Sequence, residues 1–161
     1  MSPPPLRVLM VCLGNICRSP TAQAVLRESL RKAGLAGQVE LDSAGTGGWH
    51  TGAPPDARSQ RHAKLRGYDL SKLRARRIAE ADFDRFDLVL AMDEDNLAEL
   101  ERLKPAGARA EVRLFGQQAV PDPYHGPAAG FDNVLDQIEV ESERWVDELR
   151  QRLTRGERQG T

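Results

Sequence analysis

The chain has 161 residues, a formal net charge of −1, 40% hydrophobic residues and 29% charged residues. This length favours one domain with a substantial core, and the near-neutral charge argues against a protein built mainly to bind nucleic acid or an anionic membrane. No apolar run approaches the length of a transmembrane helix, and the first residues lack the pattern of a signal peptide.

Apolar runs alternate with amphipathic segments along the chain, after a proline-rich lead-in at residues 2–5. Strands are predicted at 6–11, 39–41, 88–92 and 112–115, helices at 20–32, 54–66, 94–103 and 131–153, a loop at 121–130 and a frayed tail at 154–161. The alternation predicts right-handed βαβ units and a parallel sheet that is covered on both faces. Ligands bind outside the carboxyl ends of such strands, where Cys12, Ser43 and Asp93 all fall.

The turn between the first strand and the first helix carries a cysteine and an arginine, Cys12 and Arg18. Ser19 and Pro20 are interpreted as the N-cap and first turn of the helix. A strand-to-helix turn directs several backbone N–H groups and the helix dipole at one point, which makes an anion site. Arg18 can grip two oxygens of a phosphoryl group, and these surroundings favour the thiolate form of Cys12. The turn therefore predicts covalent phosphoryl transfer with Cys12 as the nucleophile.

The run Cys12-Leu13-Gly14-Asn15-Ile16-Cys17-Arg18-Ser19-Pro20 resembles the phosphate-binding loop of the low-molecular-weight protein tyrosine phosphatases. Three further segments match the same family, namely 42–46 followed by Trp49 and His50, 92–97, and 122–126. The resemblance extends from about residue 6 to residue 153, in the family's order. It implies an α/β fold with one domain over residues 1–161, a four-stranded parallel sheet with helices on both faces, and a phosphate-binding loop after the first strand.

The resemblance also implies the chemistry, which is hydrolysis of phosphotyrosine in a protein or peptide, with inorganic phosphate as a product and no cofactor. Asp122 takes the role of general acid and then general base, and Trp49 and Tyr124 form aromatic walls of the substrate pocket. Ser19 donates a hydrogen bond to the Cys12 thiolate, and Ser43 holds Asn15. The phosphate-binding residues are Leu13, Gly14, Asn15, Ile16, Cys17 and Arg18.

The second cysteine, Cys17, has two main interpretations. It is either a plain loop residue or the partner of Cys12 in a reversible disulfide that protects the nucleophile from overoxidation. A metal site is not expected, because His50, His62 and His125 are scattered away from the two cysteines. Two cysteines five residues apart do not form an extracellular disulfide framework, so a cytoplasmic location is expected.

Two departures from the family pattern concern the stretch 71–77 and the loop at 122–126. Many relatives carry a histidine after the serine that matches Ser71, where it braces the active-site loop, and this chain has Lys72. His125 stands where some relatives have a second tyrosine. The basic side chains of 71–77 are interpreted as a solvated face or as ion-pair partners of nearby carboxylates, in preference to a docking patch.

Three other functions remain open as alternatives. A phosphatase acting on phosphoarginine is less favoured, because relatives of that kind tend to carry threonine where this chain has Ile16. An arsenate reductase would pass oxidation to two later cysteines, and none follows Cys17. A non-catalytic phosphate-binding module would have no need of Asp122.

Overall fold

The computed structural model describes residues 4–156, which are built around a four-stranded parallel sheet. The strands are β1 (Leu6–Cys12), β2 (Val39–Gly45), β3 (Leu88–Ala91) and β4 (Glu111–Leu114), in the order β2-β1-β3-β4. Every pairing is parallel, and β1 pairs with β2 along its whole length. The predicted α/β fold and its four strands are confirmed.

Within residues 4–156, five helices connect and cover the strands. They are α1 (Arg18–Lys32), α2 (Ala57–Leu65), α3 (Asp82–Arg85), α4 (Glu94–Leu103) and α5 (Ala129–Thr154), with a short 3₁₀ turn at Ala36–Gln38. None of the helices within residues 4–156 is long and apolar enough to cross a membrane. Residues 2–3 of the predicted lead-in and residues 157–161 of the predicted tail lie outside the described residues.

Successive residues of β1 enter two separate cores, which explains why this strand is apolar throughout. Val8 and Met10 pack among buried side chains of α1 and α5, while Leu9 and Val11 pack with Phe83 and other residues beside α3 and α4. A strand that is covered on both faces reads as a continuous apolar run rather than an alternating one. Helices therefore cover both faces of the sheet, as predicted.

The predicted start of α1 was wrong. The helix begins at Arg18 with Cys17 at the N-cap, and Ser19 lies in its first turn without capping it. The hydroxyl of Ser19 contacts Cys12 and Asn15 instead, so it serves the loop between β1 and α1, residues 12–18, which we call the active-site loop, and not the end of the helix. In contrast, Asp93 caps α4, with its Oδ1 accepting a hydrogen bond from the backbone N–H of Asn96 at 2.7 Å.

Trp145 of α5 belongs to the core. Its side chain is buried, and Nε1 donates a hydrogen bond of 2.6 Å to the carbonyl of Phe115, just after β4. A buried indole N–H needs such an acceptor, so the contact both satisfies Trp145 and ties α5 to the sheet.

Candidate active site

The candidate nucleophile, Cys12, is the last residue of β1, at the carboxyl edge of the sheet. It is buried, and its Sγ lies 3.0 Å from Oγ of Ser19. The hydroxyl of Ser19 accepts a hydrogen bond from Nδ2 of Asn15 at 2.8 Å, which leaves its own proton to donate. The carbonyl of Ala44 is a more distant acceptor, at 3.5 Å, so the sulfur is the better-placed partner. This arrangement stabilises negative charge on the sulfur.

Asn15 gives the loop its shape through a left-handed backbone conformation, with φ of 57°. Its side chain is buried, and Oδ1 accepts a hydrogen bond of 3.0 Å from the backbone N–H of Arg76. The expected contact of Ser43 with Asn15 was wrong. Oγ of Ser43 donates instead to Oε1 of Gln23 at 2.7 Å, and the N–H of Arg76 takes the position beside Asn15.

Loop carbonyls are held by the segments that flank the loop. The carbonyls of Cys12, Leu13 and Ile16 accept hydrogen bonds of 2.8–2.9 Å from the backbone N–H groups of Thr46, Gly47 and Asp56. Three hydrogen bonds to other segments of the chain therefore fix the position of the loop. A loop held in this way can present its own N–H groups to an anion.

Arg18 is almost fully buried, with 2% of its surface exposed, and it is anchored through one nitrogen. Nη1 donates to Oδ2 of Asp93 at 2.5 Å and to the carbonyl of Val120 at 3.0 Å. Those two contacts use both protons of Nη1, so Nε and Nη2 form the edge that remains for a ligand. Nη2 lies 3.5 Å from Oδ2 of Asp122.

Asp122 lies in the loop before α5 and lines the same cavity as Arg18. Its side chain is partly exposed, and its Oδ1 accepts a hydrogen bond of 3.0 Å from the backbone N–H of Tyr124. The carboxyl is thus held at the mouth of the cavity, where it meets both solvent and the arginine.

Most of the predicted site residues line one cavity. The lining residues are Cys12, Leu13, Gly14, Ile16, Cys17, Arg18, Trp49, His50, Asp122 and Tyr124. Trp49 is 72% exposed and Tyr124 36% exposed, so both stand at the rim rather than in the core. Asn15 and Ser19 lie behind this lining, and Ser43 is further back still, against Gln23.

Cys17, at the end of the loop, is a free buried thiol, and Cys12 is also free. Burial raises the pKa of the Cys17 thiol to about 12, and the negative charge of Asp56 acts in the same direction. A thiol of this kind is a poor nucleophile at neutral pH. The protective disulfide stays a prediction. No group of three or more potential metal ligands comes together within residues 4–156.

Three residues at the site have roles that sequence analysis did not assign. Asp93 was predicted to lie at the carboxyl edge of the sheet, but its contact with Arg18 was not predicted, because that contact joins residues 75 positions apart. His50 lines the cavity and was noted only as part of a matching segment. Arg76 contacts Asn15 through its backbone, which no local pattern indicates.

The fold and the site together define a class of protein that brings a cysteine, a buried arginine and a carboxylate together at the carboxyl edge of a parallel sheet. Comparison with known proteins identifies that class more closely. The family model described as low molecular weight phosphotyrosine protein phosphatase matches residues 7–155. The chain belongs to this family.

Individual relatives cover most of the chain. A low molecular weight phosphotyrosine protein phosphatase of Schizosaccharomyces pombe is 45% identical over 141 residues, which span 83% of this chain and 90% of the relative. The crystal structure of a protein tyrosine phosphatase from Entamoeba histolytica has a TM-score of 0.86 and 35% identity, covering 91% of this chain and 97% of that one. A crystal structure of a drosophila arginine phosphatase has a TM-score of 0.84 and 33% identity, covering 89% and 97%.

Proposed function

We propose that this chain is a protein tyrosine phosphatase that hydrolyses phosphotyrosine through a phosphocysteine intermediate on Cys12. The observation that carries the proposal is the convergence of three groups on one cavity: a sulfur with a hydroxyl donor at 3.0 Å, the free edge of a buried arginine, and a carboxyl 3.5 Å from that arginine. These are a nucleophile, an oxyanion binder and an acid.

In the first step, the Cys12 thiolate attacks phosphorus, so that an S–P bond forms while the bond from phosphorus to the phenolic oxygen breaks. Asp122 gives its proton to the departing oxygen, and tyrosine leaves as the neutral phenol. Ser19 stabilises the thiolate before attack, and the Nε–Nη2 edge of Arg18 holds two of the phosphoryl oxygens.

In the second step, a water molecule attacks the phosphocysteine. The Asp122 carboxylate, now deprotonated, takes a proton from that water as its oxygen bonds to phosphorus. The S–P bond breaks, the thiolate of Cys12 is restored and inorganic phosphate leaves. Every proton and electron pair is supplied by the chain, the substrate or water, so the cycle needs no metal and no cofactor.

The rim of the cavity favours a flat, apolar leaving group. Trp49 and Tyr124 stand on it with exposed rings, and Leu13 is 44% exposed beside them. Aromatic and aliphatic walls of this kind suit the ring of phosphotyrosine better than the short side chain of phosphoserine. A phosphotyrosine protein or peptide in the cytoplasm is the proposed substrate, and residues 1–161 are proposed to act as one catalytic domain.

The test compares turnover of matched peptides that carry phosphotyrosine, phosphoserine or phosphoarginine, with Cys12→Ser as the control. Phosphotyrosine should be hydrolysed fastest and Cys12→Ser should be inactive while still binding phosphate. Faster turnover of phosphoarginine would favour the activity named for the drosophila relative. Substantial activity of Cys12→Ser would contradict the covalent mechanism, and phosphate binding without any turnover by the parent would indicate a binding module.

A further inference from the structure

Arg76 contacts the active-site loop through its backbone, and its guanidinium is bound by two carboxylates. The N–H of Arg76 donates to Oδ1 of Asn15 at 3.0 Å, and its carbonyl accepts the N–H of Gly45 at 2.8 Å. Asn15 is the one non-glycine residue with a positive φ in the described part of the chain. The segment around Arg76 therefore contacts the residue that sets the shape of the loop.

Gly45 provides a second contact between this segment and the loop. It lies so near that a Cβ on it would stand 2.8 Å from the carbonyl oxygen of Leu13 and 3.1 Å from the carbonyl carbon of Gly14. The carbonyl of Gly45 also accepts a hydrogen bond of 2.8 Å from the N–H of Ile78. The N–H and the carbonyl of Gly45 are thus both hydrogen-bonded, to residues 76 and 78 respectively. Gly45 in turn packs against the backbone of the loop.

The position of this segment is fixed by a mostly buried ion pair. Nη1 and Nη2 of Arg76 donate to the two carboxylate oxygens of Asp82 at 2.9 and 3.1 Å, and Nε donates to Asp42 at 3.1 Å. Asp82 is only 1% exposed and also accepts the N–H of Ala79 at 2.8 Å. Burial opposes the charge on Arg76, yet its carboxylate partners raise the pKa of Arg76 overall.

We propose that Arg76 and Asp82 are positioning residues for phosphate binding, which hold Asn15 and thereby the anion-binding shape of the loop. Neither side chain lines the cavity around Cys12. The guanidinium of Arg76 makes two parallel hydrogen bonds to Asp82, and this geometry fixes residue 76 relative to α3. A lysine in its place has a single charged nitrogen and cannot make the paired contact, so it would leave residue 76 less well positioned beside the loop. The inference rests on the proposed function, because it concerns the same anion site.

The test measures the dissociation constant of inorganic phosphate by calorimetry, together with kcat/KM for an aryl phosphate, in Arg76→Lys and Asp82→Asn. We expect weaker phosphate binding in both and a fall in kcat/KM of roughly 10- to 100-fold, as small misplacements of active-site groups cause. Arg66→Lys is the matched control, since Arg66 is also held by carboxylates, namely Asp136, Glu139 and Asp132 at 2.8, 2.6 and 3.7 Å. It should lose stability without losing phosphate affinity.

A double-mutant cycle separates positioning from a general loss of stability. Asn15→Gly keeps the left-handed conformation accessible but removes the side chain that Arg76 contacts. In that background, Arg76→Lys should lower kcat/KM by less than about twofold if it acts through Asn15. Equal losses in both backgrounds would overturn the proposal, as would variants that melt earlier but bind phosphate like the parent.

If Asp82→Asn does not fold, Asp42→Asn replaces it, because that carboxylate is half-exposed and removes only the outer contact of Arg76. Unchanged phosphate affinity in both Asp42→Asn and Arg76→Lys would then contradict the proposal. Failure of the proposed function would look different, since the parent itself would show no aryl phosphatase activity.

Discussion

At the scale of single residues, the site depends on how Arg18 divides its hydrogen bonds. One nitrogen is bound by Asp93 and by the carbonyl of Val120, and the opposite edge faces the cavity with Asp122 at 3.5 Å. A guanidinium fixed on one side has little freedom to lose when it grips two phosphoryl oxygens on the other. The burial of Arg18 is therefore compatible with binding, because the anchoring partners leave one edge available.

The acid role of Asp122 predicts a dependence on the leaving group. Asp122→Asn should slow hydrolysis of phosphotyrosine by about 10²–10⁴, the usual contribution of general acid catalysis, because a poor leaving group needs the proton. It should slow cleavage of an activated ester such as a nitrophenyl phosphate less. The measurement is kcat/KM against leaving-group pKa in both enzymes, and equal slopes would show that another group supplies the proton.

The buried thiol of Cys17 predicts an alkaline loss of stability. Its folded pKa of about 12 lies above the ordinary 9.0, so the folded state retains a proton that the unfolded state releases. The free energy of unfolding should be unaffected by this group below pH 9 and should fall as pH rises from 9 towards 12, by up to about 1.4 kcal/mol per pH unit.

Cys17→Ala isolates that contribution, since other groups also titrate in this range. Urea unfolding at several pH values should show a shallower alkaline decline in Cys17→Ala than in the parent. The same slope in both proteins would mean that burial does not control this thiol.

At the scale of elements, the close approach of β2 to the active-site loop predicts a steric requirement at Gly45. A Cβ there would meet backbone atoms at 2.8–3.1 Å, so Gly45→Ala must move the loop or the strand. We expect a loss of about 1–3 kcal/mol in stability, as for other overpacked sites, together with reduced kcat/KM.

Gly37→Ala is the matched control, because a Cβ at Gly37 meets nothing within 4 Å. It should leave kcat/KM unchanged. Urea unfolding and aryl phosphate turnover test both variants, and parent-like behaviour of Gly45→Ala would show that the loop tolerates displacement.

The elements also show which features a sequence can predict. The strands and α4 follow from apolar runs and an N-cap at Asp93, which are local signals. Helix α3 was not predicted, because its four residues are too few to show a helical period. The start of α1 was misplaced because the hydroxyl of Ser19 serves Cys12, and such competition between partners is a tertiary effect.

The same distinction applies to the candidate site. Cys12, Arg18 and the loop between them are contiguous, so one stretch of sequence predicts them. The contacts of Asp93 with Arg18 and of Arg76 with Asn15 join residues 75 and 61 positions apart, and only the packed sheet brings them together. Ser43 was assigned to Asn15 by resemblance, and the actual partner, Gln23, comes from α1.

At the scale of the whole molecule, the parallel sheet collects the site at one edge. Cys12 and Gly45 are the last residues of β1 and β2, and Asp93 follows β3 by two residues. The loop before α5 brings Asp122 to the same edge of the sheet. Cores on both faces of β1 hold this edge in place. Because these groups are far apart in sequence, catalysis should be lost wherever the sheet edge is distorted, even if the fold survives.

The central claim is a phosphocysteine on Cys12, and trapping it is the most direct test. Asp122→Asn should retain attack on an activated aryl phosphate but lack the base for the second step, so the intermediate should accumulate. Rapid quenching followed by peptide mass spectrometry should then find one phosphoryl group on the peptide that holds Cys12, and none in Asp122→Asn combined with Cys12→Ser. Turnover of the aryl phosphate with no phosphoryl group on Cys12 under these conditions would contradict the mechanism.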